Sequence, residues 1–407
     1  MRRLKGLGLD RIAIEGGARL EGEIAISGAK NSAIKLMAAS LLTSEPLRLT
    51  TLPRLADTRV LGQLLGRLGT EVQEQDGPEG PETLLHTPEI ISAIAPYDLV
   101  RQMRASFNVL GPLLARSGQA KVSLPGGCTI GARPVDLHLE ALRALGAEID
   151  LHEGYVYAQA PRGLRGAEIV DLADCLNKMG ARIVGAGLDV IRIQGVSRLG
   201  GTSHAVIPDR IETGTFALAA AMAGGEVRLT HTRNDFIGHL LDKMEEAGVE
   251  VVRHNDGVTV KRNGRRLNAV AVETDPYPGF ATDLQAQFMA LMTLADGESV
   301  IRETIFENRF MHAPELARLG ADISIQGGEA RVRGVSALTG AQVMATDLRA
   351  SVGLVIAGLA AKGETVVGRV YHLDRGFERL EAKLSACGAK IQRLKGEATS
   401  EDAAFDA

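Results

Sequence analysis

The stretch Leu319-Gly320-Ala321-Asp322-Ile323 decides the fold, because it is one of six copies of a single short pattern in the chain. Each copy consists of an apolar residue, a glycine, a small residue or valine, a charged residue and a β-branched residue. Glycine is favoured just after a helix, and the β-branched residue begins an alternating segment. Each copy therefore predicts an amphipathic helix followed by a strand. The six glycines are Gly69, Gly146, Gly180, Gly248, Gly320 and Gly388.

A second pattern predicts five helices that are apolar on nearly every side. A helix without a polar face is surrounded by protein, and about ten residues are too few to cross a bilayer. Together the two patterns predict repeated β-α-β-α-β units, so we expect an α/β fold with two inside-out α/β barrel domains that enclose buried apolar helices. The predicted apolar helices lie at 33–42, 107–115, 215–223, 287–295 and 351–361.

One repeat is too short. The successive glycines of the first pattern are 77, 34, 68, 72 and 68 residues apart. The short interval, from Gly146 to Gly180, is also the one without a predicted apolar helix. We infer that about 34 to 43 residues required by the repeat are absent from it, with the join near Ile169-Val170.

Composition limits the function. A chain of 407 residues with 45% hydrophobic and 24% charged side chains is globular and long enough for two domains. Three widely spaced cysteines match neither a disulfide framework nor a zinc site, which indicates a reducing, cytoplasmic location. No segment has the pattern of a secretory or membrane-spanning sequence. A net charge of −4 and 3% aromatic residues make nucleic acid an unexpected partner, and the oligomeric state cannot be deduced.

A glycine-rich turn carries the most reactive candidate. In Pro125-Gly126-Gly127-Cys128 the backbone can approach a ligand closely, and Arg133 follows five residues later. Exposure and nearby cations make a thiol reactive. Cys175 and Cys387 have apolar neighbours and are expected to be small buried residues.

Eight motifs in the same order resemble those of the enolpyruvyl transferases, and they span almost the whole chain. They are Gly28-Ala29-Lys30-Asn31-Ser32, Met103-Arg104-Ala105-Ser106, the Cys128 turn, Pro208-Asp209-Arg210-Ile211-Glu212-Thr213-Gly214, Thr282-Asp283-Leu284-Gln285-Ala286-Gln287, Phe306-Glu307-Asn308-Arg309-Phe310-Met311-His312, Ala345-Thr346-Asp347-Leu348-Arg349-Ala350-Ser351 and Asp374-Arg375-Gly376.

This resemblance implies two domains, with the active site between them and Cys128 on a lid. The first domain would be 30–207, the second 1–29 plus 208–396, and 397–407 a disordered tail. The implied reaction moves the enolpyruvyl group of phosphoenolpyruvate to the 3′-hydroxyl of UDP-N-acetylglucosamine and releases phosphate, in the first committed step of peptidoglycan synthesis. It needs no cofactor and no metal.

The resemblance also implies roles for individual residues. Cys128 would be the proton donor and a site of covalent adducts, Asp283 the base, and Asp347 a residue near the reacting centre. Asp283 also stands where an N-cap would precede a helix. His138 and His312 are expected to be structural, and Asp209, Arg210 and Glu212 lie at a crossing between domains. The implied anion-binding cations are Lys30, Arg133, Arg375, Arg309 and Arg349, and the implied sugar-nucleotide residues are Asn31, Arg104, Arg133, Pro134, Val135, Asp136, Leu137, Asp283 and Ile305.

Two alternatives remain open at this point. One is the sister activity that transfers enolpyruvyl to shikimate 3-phosphate. The other is an impaired or ligand-binding variant, because the segment absent at Ile169-Val170 holds the nucleotide in the family that the chain resembles. Its loss would expose apolar surface at about 25 cal/mol per Å², which predicts a rearranged or partly unfolded first domain.

Overall fold

The structure is a computed structural model that describes residues 10–77, 80–124, 135, 138–139, 142–143, 147–152, 155–159, 170–186, 191–306 and 309–396. It divides into two compact units. The terminal unit takes its described residues from Met1–Ile26 and Pro208–Ala407, and the inserted unit takes them from Ser27–Cys128 and Ala132–Ile207. Each unit has its own apolar core. The Cys128 turn, Ile169 and the predicted tail lie outside the described residues.

The terminal unit contains three four-stranded sheets with one common plan. Their orders are β22-β23-β1-β24, β14-β15-β13-β2 and β17-β19-β21-β20, and a short pair β16-β18 accompanies them. In each four-stranded sheet one outer pair is parallel and the other neighbours are antiparallel. The strands are β1 Arg11–Glu15, β2 Leu20–Ala25, β13 Gly225–Thr230, β14 Glu250–His254, β15 Gly257–Arg262, β16 Leu267–Asn268, β17 Val272–Glu273, β18 Ala295–Asp296, β19 Glu298–Arg302, β20 Asp322–Gln326, β21 Glu329–Arg333, β22 Gln342–Met344, β23 Glu364–Gly368 and β24 Lys390–Leu394.

Three apolar helices fill the core of this unit, as the sequence predicts. They are α6 (Arg210–Ala223), α8 (Gln285–Met292) and α10 (Val352–Ala360), which pack against one another. Every residue of α8 is buried, since a helix with no polar face gains free energy from being enclosed. The other helices of the unit are α7 Gly238–Glu246, α9 Ala313–Arg318, α11 Tyr371–Asp374 and α12 Leu380–Ala386.

The inserted unit repeats this plan twice. Its four-stranded sheets are β12-β3-β5-β4 and β6-β7-β9-β8, each again with one parallel outer pair, and β10 and β11 form a separate antiparallel pair. The elements are α1 Lys30–Ala39, β3 Leu47–Thr50, α2 Ala56–Leu68, β4 Glu71–Gly77, β5 Gly80–His86, β6 Ile94–Ala95, α3 Tyr97–Val100, α4 Leu110–Ser117, β7 Gln119–Ser123, β8 Glu148–His152, β9 Tyr155–Gln159, α5 Val170–Lys178, β10 Arg182–Val184, β11 Arg192–Gln194 and β12 Thr202–Ala205.

The β10-β11 pair agrees with the predicted gap. In the terminal unit the corresponding antiparallel pair, β24 and β1, continues into the parallel pair β23 and β22, which α10 connects. The described part of the inserted unit has no counterpart of these three elements. The expectation that this unit is rearranged is wrong for the described residues, because its other two sheets keep the strand order of the terminal unit.

The predicted helix ends are confirmed wherever they are described. Gly69, Gly180, Gly248, Gly320 and Gly388 all have φ between +92° and +115°, the left-handed region that glycine adopts without strain. Cys175 and Cys387 are buried, as expected, although Cys387 lies just after α12. Among the described residues no helix is both long and apolar enough to cross a membrane.

Candidate functional site

Lys30 is the first residue of α1 in the inserted unit, and its charge is already matched. Its Nζ donates to Oδ2 of Asp57 on α2 over 3.1 Å, and both side chains are buried. A buried charge needs a partner at close range, so this contact fixes where the ammonium lies.

The first turn of α1 is also anchored by residues that the sequence reasoning missed. Ser32 Oγ donates to Asp171 of α5, and Asp171 Oδ1 accepts from Nε2 of His204 on β12 over 2.8 Å. Lys178 Nζ then lies 3.2 Å from His204 Nδ1, which assigns the proton to Nε2. Asp171 and His204 are both buried. The four residues join α1, α5 and β12 around the N-terminus of α1.

The other predicted residues of this unit are spread over several elements. Asn31 is exposed, Val135 is half-buried, and Arg104 begins a 3₁₀ turn, Arg104–Val109, that packs against α1. His138 is exposed and lies edge-on to Phe107, with ring centroids 6.0 Å apart. The predicted residues Cys128, Arg133, Pro134, Asp136 and Leu137 lie outside the described residues.

In the terminal unit, Asp283 and Arg309 form a close ion pair. Arg309 Nη2 donates to Asp283 Oδ1 over 2.7 Å, although the Arg309 side chain is only 3% exposed. Asp283 lies in the 3₁₀ turn Thr282–Leu284, and the N-cap of α8 is Leu284. The expectation that Asp283 stands at the N-cap is therefore wrong, because an extra turn precedes the helix.

Asp347 likewise caps a turn and not the helix itself, because the N-cap of α10 is Ser351. Its Oδ1 accepts the backbone N–H groups of Arg349 and Ala350, each over 2.7 Å, and thereby shapes the turn before α10. The Arg349 guanidinium is buried and donates to Asp209 Oδ2 over 3.1 Å and to Gly376 O over 3.0 Å. Burial lowers the pKa of Arg349, whereas the Asp209 and Asp283 carboxylates raise it, and the net change is upward.

Asp209 in turn organises the start of α6. Its Oδ1 accepts from the backbone N–H groups of Ile211 and Glu212 over 2.8 and 3.1 Å. Glu212 pairs with Lys383 over 2.8 Å. One carboxylate therefore caps a helix and holds Arg349, which supports a structural role for this motif.

Two histidines connect these groups electrostatically. Burial lowers the pKa of His312 to about 4; Asp347 opposes this shift and Arg309 adds to it. Neither ring nitrogen of His312 has a hydrogen-bond partner among the described residues. Burial also lowers the pKa of His372, and the next largest cause is the nearby charge of Arg375. Five predicted residues lie close together in the terminal unit. Arg309 pairs with Asp283, Asp347 accepts from the backbone of Arg349, and Arg349 donates to the carbonyl of Gly376, which follows Arg375. The Asp283 carboxylate also raises the pKa of Arg349, which links the two groups into one charged cluster.

Glu303 is a buried carboxylate that the sequence reasoning also missed. Its Oε1 accepts from the backbone N–H groups of Ile305 and Phe306, over 2.9 and 3.2 Å, and from Thr274 Oγ1 over 3.0 Å. Its Oε2 accepts from Thr282 Oγ1 over 2.9 Å. Glu303 therefore holds both the predicted substrate residue Ile305 and the residue next to Asp283.

Cations that are buried beside carboxylates can bind anionic groups of a substrate while a carboxylate takes up a proton. The described residues contain no group of three or more His, Cys, Asp or Glu side chains that could hold a metal ion.

A family model described as EPSP synthase (3-phosphoshikimate 1-carboxyvinyltransferase) matches residues 14–169 and 163–384. The chain belongs to the EPSP synthase family of enolpyruvyl transferases.

Individual members of this enolpyruvyl transferase family are similar over nearly their full length. A UDP-N-acetylglucosamine 1-carboxyvinyltransferase of Caulobacter vibrioides is 68% identical over 428 residues, covering 97% of this chain and 100% of the relative. A protein of the same name from Maricaulis maris is 62% identical, covering 95% and 99%.

Solved structures of enolpyruvyl transferases share the fold. The enolpyruvyl transferase NikO from Streptomyces tendae aligns with a TM-score of 0.84 and 25% identity over 96% of this chain and 100% of NikO. An EPSP synthase of Acinetobacter baumannii aligns with a TM-score of 0.71 and 16% identity over 95% and 100%, which shows similarity of fold alone. The mixed α/β class predicted from the sequence is confirmed.

The comparisons also agree with the predicted gap. The C. vibrioides alignment spans 428 residues, whereas 97% of this 407-residue chain is about 395, so about 33 positions of that enolpyruvyl transferase have no counterpart here. The family model matches in two stretches that meet at 163–169, next to the join inferred from the repeat.

Proposed function

We propose that this chain transfers the enolpyruvyl group of phosphoenolpyruvate to the 3′-hydroxyl of UDP-N-acetylglucosamine and releases phosphate, as the first committed step of peptidoglycan synthesis. The observation that carries the proposal is the charged cluster around Asp283 and Arg309, found in a chain that is 68% identical to a UDP-N-acetylglucosamine 1-carboxyvinyltransferase. The same similarity favours an active enzyme over an impaired or merely ligand-binding variant.

The chemistry divides into addition and elimination. Asp283 takes the proton of the sugar hydroxyl as the oxygen attacks C2 of phosphoenolpyruvate, and Cys128 delivers a proton to the methylene carbon. The resulting tetrahedral adduct loses a proton from its new methyl group while the bond from C2 to the phosphate oxygen breaks. The products are the enolpyruvyl ether and inorganic phosphate. No cofactor or metal takes part in these steps.

The contact between Arg309 and Asp283 supports the role of Asp283, and the other roles are those that the resemblance implies. Arg309 donates a hydrogen bond to Asp283 Oδ1 over 2.7 Å. This contact fixes the orientation of the carboxylate, so that its other oxygen can accept the proton of the sugar hydroxyl. Lys30, Arg133, Arg349 and Arg375 bind the phosphate and carboxylate of phosphoenolpyruvate, because charge-assisted hydrogen bonds to anions are strong. Asn31, Arg104, Ile305 and the 133–137 segment contact the UDP-sugar, and Asp347 shapes the turn before α10.

We place this reaction in the cytoplasm, with small-molecule substrates and without nucleic-acid or membrane partners. Cys175 and Cys387 are free, buried thiols, which fits a reducing compartment. Burial raises the pKa of Cys175 to about 12 with a further contribution from Asp171, so this thiol stays protonated and unreactive at neutral pH.

Phosphate release tests the proposal. Purified chain is incubated with phosphoenolpyruvate and either UDP-N-acetylglucosamine or shikimate 3-phosphate. We expect phosphate release when UDP-N-acetylglucosamine is the acceptor and none when shikimate 3-phosphate is the acceptor. Phosphate release with shikimate 3-phosphate would establish the sister activity instead. Asp283→Asn should lower kcat by about 10²–10⁴-fold, whereas Asp256→Asn, at an exposed position, is the matched control.

Labelling tests the role of Cys128 separately. Fosfomycin, an epoxide that resembles phosphoenolpyruvate, should alkylate the parent but not Cys128→Ser. Cys128→Asp should retain some turnover, because a carboxylic acid can still donate a proton. Equal labelling of Cys128→Ser and the parent would contradict the assignment.

A further inference from the structure

A groove of about 730 Å³ opens on the inserted unit. Its walls include Pro112 and Ala115 of α4, Leu172 and Leu176 of α5, and Ile183 and Ile193 of the β10-β11 pair. Protein cores are close-packed and contain few voids larger than a water molecule. Among the described residues this groove is large enough to hold a structural element, and most of its lining is apolar.

The terminal unit shows what fills the equivalent place. There α10 packs against α6, α8, α9 and β1. By order in the repeat, the counterparts of α6, α8 and β1 are α1, α4 and β11. The groove is lined by α4, by β11 and by Leu42, in the 3₁₀ turn that continues α1. It is also lined by Leu142, from the helical residues at the place of α9. The groove thus has the neighbours that α10 has in the terminal unit.

Exposure of α4 supports this correspondence. Every residue of its counterpart α8 is buried, whereas Ala115 of α4 is exposed and Gly111 and Pro112 are only half-buried. These three residues are small or compact, which permits close approach of another helix. In the terminal unit a Cβ atom on Gly353 of α10 would lie 2.8 Å from the Ala286 carbonyl oxygen of α8, so the two helices meet backbone to backbone there.

The β10-β11 pair offers a second element of recognition. In the terminal unit β1 pairs on both sides, with β24 and with β23. Among the described strands β11 pairs with β10 alone. An open strand edge presents unpaired backbone N–H and C=O groups that accept a further strand.

We propose that this groove binds an apolar α-helix of another polypeptide, about nine residues long like α10, with an adjoining strand that pairs with β11. The partner carries small residues where it faces α4 and no charged side chain on its buried faces. The alignment leaves about 33 residues of the C. vibrioides relative without a counterpart in this chain. The probe is the part of that relative that falls between its counterparts of Ile169 and Val170. The proposal does not depend on the enzymatic activity.

Binding to the full chain tests the proposal. The C. vibrioides segment is fused to a soluble, fluorescently labelled carrier protein, and anisotropy is measured as the full chain is added. We expect saturable binding with one fusion per chain and a higher Tm of the inserted unit. A fusion with two apolar helix residues changed to lysine should not bind, because a buried unpaired charge is costly.

A matched pair of variants locates the site. Ala115→Arg, in α4, should weaken binding about tenfold or more. Ala382→Arg, on the exposed face of α12, should leave it unchanged. Both positions are exposed, so the free variants should keep the Tm of the parent. Absent binding, equal binding of the lysine fusion, or binding unaffected by Ala115→Arg would overturn the proposal. The proposal would also be overturned if the chain alone formed a dimer and Ala115→Arg abolished that dimer, because the groove would then bind a second copy of the chain.

Discussion

Replacement of Glu303 tests whether one buried carboxylate positions the catalytic turn. Its two oxygens accept four hydrogen bonds, from Thr274, Thr282 and the backbone of Ile305 and Phe306, over 2.9 to 3.2 Å. Glu303→Ala removes all four acceptor contacts. Glu303→Gln keeps one carbonyl oxygen and removes the negative charge.

The expected loss of stability depends on the donors that lose their acceptor when Glu303 is replaced. The hydroxyls of Thr274 and Thr282 can rotate toward other acceptors, whereas the backbone N–H groups of Ile305 and Phe306 cannot. Hydrogen bonds to charged groups contribute roughly 1.5–3 kcal/mol each. We therefore expect Glu303→Ala to lower the free energy of unfolding by about 3–5 kcal/mol and Glu303→Gln by about 1–2 kcal/mol. A displacement of Asp283 by about 1 Å should lower kcat by about 100-fold in Glu303→Ala.

Denaturant unfolding and steady-state phosphate release measure the two effects. Glu298→Gln is the matched control, because Glu298 lies on β19, shortly before Glu303, and its ion pairs with Arg331 and Arg333 are exposed. It should change stability by no more than about 0.5 kcal/mol. Parent-like stability and turnover of Glu303→Ala would refute the reasoning. Lower stability with the kcat and KM of the parent would refute the positioning role alone.

Four further predictions concern other described residues. Asp171→Ala should destabilise the inserted unit by about 3–5 kcal/mol, measured by thermal unfolding, because Ser32 and His204 each lose a hydrogen bond to a buried carboxylate. Arg309→Lys should lower kcat by a larger factor than it changes KM in the phosphate-release assay, because lysine cannot reproduce the guanidinium contact to Asp283. His312 is neutral in the fold with a pKa of about 4, below its ordinary value of 6.5, so the unfolded chain binds more protons between these values. The stability advantage of the parent over His312→Gln should therefore shrink as the pH falls from 6.5 to 4 in parallel melts, and a constant difference would contradict this. The inserted unit should unfold at a lower temperature than the terminal unit by calorimetry, because the groove beside α4 is open, and a single shared transition would contradict this.

The repeat could be predicted because its signals are local. Glycine after an amphipathic helix and continuous apolar runs depend on residues within a few turns, so the ends at Gly248 and Gly320 and the buried α8 follow from sequence alone. The short interval from Gly146 to Gly180 likewise predicted a missing half-unit, and the incomplete β10-β11 pair agrees with it.

The candidate site was only partly predictable, since motifs point to individual residues and not to their partners. Asp283 and Arg309 were both singled out, but their ion pair and the extra turn before α8 depend on how distant segments pack. Asp171 and Glu303 belong to no catalytic pattern, and only their contacts with Ser32 and Ile305 indicate a role.

The sequence by itself determined the repeated unit, the position of the gap and the residues of the family motifs, because periodicity and spacing are properties of short segments. Tertiary structure alone decided which polar side chains meet. Asp209 and Arg349 are 140 residues apart, and Ser32 and Asp171 are 139 apart. It also decided that a groove opens beside α4, because its walls come from segments that are distant in the sequence and meet only when the chain folds.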